Sequence, residues 1–198
     1  MVELRKRKTS EQPPVVEKKI KKSVTTAKAS IGASEKKKSV SATSPAPIYK
    51  VGDTVTLDDF GGQIEMNDGT QTTLKDLVNG SESGVVLFTY PKASTPGCTK
   101  QACMFRDSYD HLTSTGLSIY GLSADSPRAN STFKAKQRLP YPLLCDPTFS
   151  LIAALGLKKS PKGTIRGVFA INKNGDVLLS HAGGPDATVE ATRQLVAK

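Results

Sequence analysis

Tryptophan is absent from the 198-residue chain, and cysteine is scarce, with three in all. So few cysteines exclude a disulfide-stapled secreted scaffold. No apolar run approaches the ~20 residues that a helix needs to cross a bilayer, so an integral membrane protein of that kind is excluded. No apolar h-region follows the first positive charges, and a secretory signal is therefore not expected. Internal repeats are missing too. The first 49 residues lack still more: they hold one aromatic, Tyr49, and no cysteine. Such a stretch of Lys, Ser, Thr, Ala and Pro cannot bury enough apolar surface to offset its ordering entropy, and it is expected to be disordered.

Positive charge is what the chain has in excess. Its 28 Lys and Arg against 18 Asp and Glu leave a net +10. Residues 1–49 hold 12 basic and 4 acidic side chains, or +8, which leaves residues 50–198 at only +2. That division predicts a basic extension over 1–49 and one near-neutral folded domain over 50–198. Three basic clusters punctuate the extension: Arg5-Lys6-Arg7-Lys8, Lys18-Lys19-Ile20-Lys21-Lys22 and Lys36-Lys37-Lys38. Short basic stretches in a flexible arm suit a nuclear import receptor, so the expected location is the nucleus. They also suit nucleic-acid phosphates, a weaker expectation because no aromatics interleave to stack on bases. A solvated linker is the third reading. A mitochondrial transit peptide fits less well, since this arm is Lys-dominated and carries Glu3, Glu11 and Glu17.

From Val51 onward the pattern is that of a packed domain. Short strands are expected at Val55–Leu57 and Gln63–Met66, with a turn at Asn67-Asp68-Gly69 and a brief helix capped by Thr73. Gly84–Tyr90 and Leu117–Ser123 are apolar runs of the kind buried on both faces of a sheet. Helices are expected over 96–112, 127–138 and 149–155, with a short strand at Leu143–Cys145. Strands 165–171 and 177–180 flank the hairpin signal Asn174-Gly175, and a last helix, capped by Asp186, runs to Ala197. Strands alternating with helices and closing on a hairpin predict an α/β sandwich around a mixed sheet.

The chemistry concentrates between the Gly84 strand and the next helix, where open α/β sheets place their ligands. Thr95 suits an N-cap and Pro96 the first helical position, which puts Cys98 in the first turn. There the sulfur faces unpaired N–H groups and the positive end of the helix dipole, and both favour the nucleophilic thiolate. Cys103 lies five residues on, which in an ideal helix places the two Cα atoms about 8.7 Å apart. A disulfide needs less than about 7 Å, so the pair can join only if the helix unwinds. Spacing alone leaves two readings, a redox pair with a conformational step or two unconnected thiols. Arg166 is equally open: a surface arginine at the start of a strand, or a functional cation.

Pro91-x-x-x-Thr95-x-x-Cys98 resembles the peroxidatic motif of the peroxiredoxins. The continuation Thr99-Lys-Gln-Ala-Cys103-x-Phe-Arg-Asp107 resembles their bacterioferritin-comigratory-protein or PrxQ branch. The likeness extends through Gly121–Ser126, Pro142–Pro147 and Gly163–Phe169, and with the basic arm it resembles the nuclear thiol peroxidases of fungi. It implies a thioredoxin-like fold, a monomer, and reduction of hydrogen peroxide and organic hydroperoxides without metal, haem or flavin. On this resemblance Cys98 attacks the peroxide and becomes a sulfenic acid. Cys103 resolves it as an intramolecular disulfide, and thioredoxin reduces that disulfide. Thr95 would hydrogen-bond the sulfur and the peroxide, Pro91 would shield the pocket, and Arg166 would stabilise the charge. Cys145, where the family usually has Ser, is expected to be a buried and inert thiol.

Other groups promise less. His111 and His181 have no carboxylate cluster beside them and form no Cys-His hydrolase dyad with Cys98. Lys100 and Arg106 could tune the local field, but suit a solvated face or a pairing with Asp107 or Asp110 better. The cysteines lack zinc-site spacing. Two rivals remain: a chromatin-associated thiol sensor or chaperone with little turnover, and a disulfide reductase, which expects Cys-x-x-Cys and finds two residues too many here.

Overall fold

Asn-Gly and Asp-Gly signals mark the two ends of a seven-stranded mixed sheet in the computed structural model, which describes residues 49–197. The expected import signals and the disorder of the arm, in residues 1–48, lie outside the described residues. Strands β1 (Ile64–Met66) and β2 (Gln71–Thr72) form the first hairpin, and α1 (Leu74–Asn79) follows. Thr73 caps α1 as expected, and Asp76 returns the bond to complete a reciprocal box. Next come β3 (Gly84–Thr89), α2 (Pro96–Asp107), α3 (Tyr109–Thr113), β4 (Leu117–Ser123), α4 (Pro127–Gln137) and β5 (Leu143–Cys145). The chain closes with α5 (Ser150–Ala154), β6 (Gly167–Asn172), β7 (Val177–Ala182) and α6 (Pro185–Val196).

The strand order is β2-β1-β5-β4-β3-β6-β7. Only β3, β4 and β5 run parallel; every other pairing is antiparallel. This is the expected α/β class with a mixed sheet. Strand β3 is fully buried along its length, and its parity sorts the two cores. Val85 and Leu87 join Leu74, Ile152 and Phe169 on one face. Val86 and Phe88 join Phe105, Phe133 and Val189 on the other, under α2, α4 and α6. A strand covered on both faces needs no polar alternation, which explains its unbroken apolar run.

Several expected boundaries move. Residues 55–57 form no strand; instead Val55 N–H donates to Gly175 O (2.7 Å) and Thr54 bridges Asp176, strapping the chain across the β6–β7 turn. Gly175 turns there at φ 89°, and a side chain on it would meet Val55 O at 2.4 Å, so both glycine properties are used. The helix expected over 96–112 breaks at Ser108 (φ −108°, ψ 9°), whose hydroxyl accepts from Arg193 on α6. Strand β6 starts at Gly167 because Ile165 N–H is already committed to Leu157 O in a small local loop. The cap of α6 is Gly184, not Asp186, which lies in the first turn and bonds Lys100.

Candidate active site

Strand β3 delivers the chain to Tyr90, and the loop from Pro91 to Thr95 then carries it onto α2. Asp125, just past β4, accepts from Ala93 N–H (2.7 Å) and pins the loop's middle, while Ser94 takes a positive φ of 62°. Thr95 occupies the extended N-cap position and Pro96 the first helical one. Cys98 is thus the third residue of α2, among N–H groups without helical partners. It is only 1% exposed, packed into the cluster of Ala102 and Phe105.

Arg166 reaches this sulfur from the other side of β3. Thr89, the last residue of β3, donates its hydroxyl to Ile165 O (2.7 Å), which fixes the segment just before β6 beside the root of α2. From there Arg166 Nη2 lies 3.3 Å from Cys98 Sγ, and Nη1 donates to Gly97 O at 3.3 Å. A Cβ on Gly97 would sit 3.3 Å from Nη2, so glycine gives the guanidinium room to lie against the turn. Nη1 also donates to Gln101 Oε1. A guanidinium keeps its charge at any working pH and stabilises negative charge on an atom it touches. The arrangement can therefore hold a nucleophilic sulfur in a water-poor pocket and stabilise an oxyanion leaving beside it.

Of the expected site residues, the fold brings Cys98 and Arg166 into contact and places Thr95 and Pro91 at the loop. Thr95 makes no cap hydrogen bond; its hydroxyl donates to Lys92 O (2.9 Å), and no hydrogen bond joins it to Sγ. Pro91 is itself exposed, so in this state the cluster around α2 supplies the sulfur's shelter. Cys103 is half-buried on α2, with Sγ 3.6 Å from Gln137 Oε1 at the end of α4. Both cysteines are free thiols in one unbroken helix, a geometry that forbids their disulfide until the helix opens.

Cys145 is fully buried at the end of β5, where Asn130 Nδ2 approaches its sulfur at 3.2 Å. Burial pushes this thiol up from its ordinary value, and the Asn130 contact opposes that only in part. Arg106 pairs with Asp107 (2.8 Å), one of the two partners expected, whereas Lys100 meets neither of them and pairs instead with Asp186 (2.7 Å) on α6. His111 and His181 are exposed, on α3 and β7. Among the described residues, no group of three or more His, Cys, Asp or Glu gathers to hold a metal ion. Sequence reasoning missed Gln101, a fully buried polar residue one helical turn beyond Cys98. The available signal was a polar side chain on the buried face of an otherwise apolar turn.

Residues 51–180 match the AhpC/TSA family. The chain is similar to peroxiredoxin bcp1 of Schizosaccharomyces pombe, 42% identical over 123 residues, which span 61% of this chain and 62% of that one. Among solved structures it resembles peroxidoxin BcpB of Mycobacterium tuberculosis, at 32% identity and a TM-score of 0.68, covering 75% of this chain and 96% of that one. It also resembles the Xanthomonas campestris bacterioferritin comigratory protein, described for its alkyl peroxide reduction activity, at 27% identity and a TM-score of 0.63. That match covers 73% of this chain and 99% of the Xanthomonas protein. These matches bear out the thioredoxin-like fold implied by the motif.

Proposed function

Because the chain belongs to the AhpC/TSA family, with peroxiredoxins of the bacterioferritin-comigratory-protein and PrxQ type as its relatives, we propose that it is a thiol peroxidase acting through Cys98. The Cys98 thiolate attacks one oxygen of a hydroperoxide. The O–O bond breaks, the other oxygen leaves as an alcohol or water after taking a proton, and Cys98 becomes a sulfenic acid. Arg166 stabilises first the thiolate and then the charge passing to the leaving oxygen. Thr95 turns from Lys92 O to the bound peroxide, and Pro91 closes the rim of the pocket. With α2 opened, the Cys103 thiolate attacks the Cys98 sulfur and forms the disulfide, and the displaced hydroxide takes up a proton to leave as water. A thioredoxin-type dithiol then reduces it and restores both thiols.

One observation carries this reading above the others: the Arg166 guanidinium stands 3.3 Å from a buried cysteine sulfur in the first turn of a helix. The alkyl peroxide reduction described for the Xanthomonas relative supports organic hydroperoxides as substrates beside hydrogen peroxide. The reading is tested by thioredoxin-coupled peroxide consumption with the wild type and Cys98→Ser. Peroxide-dependent turnover that vanishes with Cys98 is the expected result; a variant that keeps wild-type turnover overturns the assignment.

The basic clusters within residues 1–38 support a nuclear location reached through an import receptor, where the enzyme serves antioxidant defence. Deleting residues 1–22 from a fluorescent fusion should abolish nuclear accumulation, and unchanged accumulation refutes the import role. The enzyme acts as a monomer, which light scattering of the full chain checks directly.

A further inference from the structure

Arg166 is itself held, and the hydrogen bonds that hold it lead out of the pocket to α6. Gln101 accepts from Arg166 through Oε1 and donates through Nε2 to Thr188 Oγ1 at 3.0 Å. Thr188 in turn donates its hydroxyl proton to Pro185 O at 2.8 Å. We propose that Thr188 is a positioning residue for the peroxidase reaction, acting through Gln101 to keep Arg166 against Cys98. The proposal rests on the reading of Cys98 as the attacking thiol.

The donors and acceptors allow this chain only one direction. A guanidinium donates and cannot accept, so the carboxamide must face Arg166 with its oxygen. Its nitrogen then faces Thr188, which must accept. Thr188 is free to accept because its single proton is already committed to Pro185. Turning the carboxamide round would set donor against donor at the arginine and leave its oxygen facing a hydroxyl whose proton is engaged elsewhere.

Burial makes the arrangement stiff. Gln101 and Thr188 are both fully buried, so water does not offer substitute partners. The Thr188 turn is braced by Thr192, whose hydroxyl donates to Thr188 O at 2.8 Å. Gln101 lies between Cys98 and Cys103 on α2, so the link to Arg166 holds only while that helix is wound. Opening α2 for the disulfide therefore also releases the arginine, and the pocket is complete only in the form that carries a free Cys98. If Thr188 only packed α6 against α2, an isosteric apolar residue would serve as well.

The test uses the full chain and compares Thr188→Val, Thr188→Ser, Arg166→Gln and the double variant Thr188→Val/Arg166→Gln. The measurement is the second-order rate of Cys98 oxidation by hydrogen peroxide in a single turnover, with thermal unfolding followed in parallel. Thr188→Val should lower the rate roughly tenfold, because an ångström of misplacement in a charge-stabilising group costs about that or more. Thr188→Ser keeps the acceptor and should stay within about twofold of the wild type. On the Arg166→Gln background, Thr188→Val should cost less than about twofold further, since residues acting through one another are not additive. Should Thr188→Val fail to fold, Thr188→Ala removes the same acceptor and carries the same expectation. A wild-type rate in Thr188→Val, no recovery in Thr188→Ser, or multiplying losses in the double variant each overturns the proposal while leaving the peroxidase reading standing. A wild type that consumes no peroxide overturns both.

Discussion

Cys98 and Cys145 are both buried and both free, 1% and 0% exposed, yet their surroundings are opposites. Cys98 lies in the first turn of a helix with a guanidinium 3.3 Å from its sulfur. Cys145 ends a central strand, where a neutral carboxamide is the polar group at its sulfur and burial raises its thiol. Burial by itself therefore does not distinguish the two cysteines. A charge partner and a helix end that can open separate the two. Strand β5 cannot open locally without losing its pairings to β1 and β4, whereas the first turns of α2 are the cheaper segment to unwind.

The sharpest break of the comparison is exchange of the thiols themselves. Cys98→Ser should abolish thioredoxin-coupled peroxide consumption, while Cys145→Ser keeps it near the wild-type level; loss of recycling in Cys145→Ser would make Cys145 the resolving thiol and sink the contrast drawn here. Next in size is Cys103→Ser. One equivalent of peroxide should still be consumed, after which turnover stalls and mass spectrometry finds Cys98 further oxidised to the sulfinic acid. Arg166→Gln keeps a hydrogen-bond donor but removes the charge, and stopped-flow measurement should find the attack slowed roughly 10²-fold or more.

A smaller effect concerns Cys145 and pH. Its native thiol value is raised, so the folded state holds the proton more tightly than the unfolded chain does. The stability tied to that thiol is complete below the ordinary cysteine value of about 8.5 and is lost as pH rises past it. Cys145→Ala should cost about 1 kcal/mol in urea unfolding at pH 7, with the gap to the wild type narrowing under alkaline conditions. A gap that widens with pH contradicts the sign. The smallest expected effect is at the exposed Lys100–Asp186 pair, which lowers the Asp186 carboxyl. That contribution is present above the ordinary carboxylate range and lost as pH falls through it, so Asp186→Asn and the wild type should converge in thermal stability at acid pH.

Much of this was legible in residue order, because the informative signals were local. The apolar run 84–90, the Asn174-Gly175 turn and the Thr73 cap each depend on a few adjacent residues, and each appears where expected. The cysteine spacing was legible for the same reason. What failed also failed for a physical cause. Val55–Leu57 has strand-like residues, but its backbone bonds go to a turn about 120 residues away, which no local pattern encodes. Asp186 has an N-cap's chemistry, yet Gly184 and Pro185 start the helix earlier and free it to pair with Lys100. Thr95 holds the cap position while its hydroxyl finds a nearer acceptor in Lys92 O.

The sequence by itself determined the division of charge between arm and domain, the α/β alternation, and a pair of cysteines too far apart to bond in a wound helix. All of these follow from composition, periodicity and helical rise. Only the tertiary structure decided which cation meets the sulfur and what holds it there. Arg166, Gln101 and Thr188 come from the segment before β6, from α2 and from α6, and their order of donation depends on packing those three parts of the chain together. Contacts between segments that far apart in the chain carry no local signature, because they arise from burying shared apolar faces rather than from any neighbour in sequence.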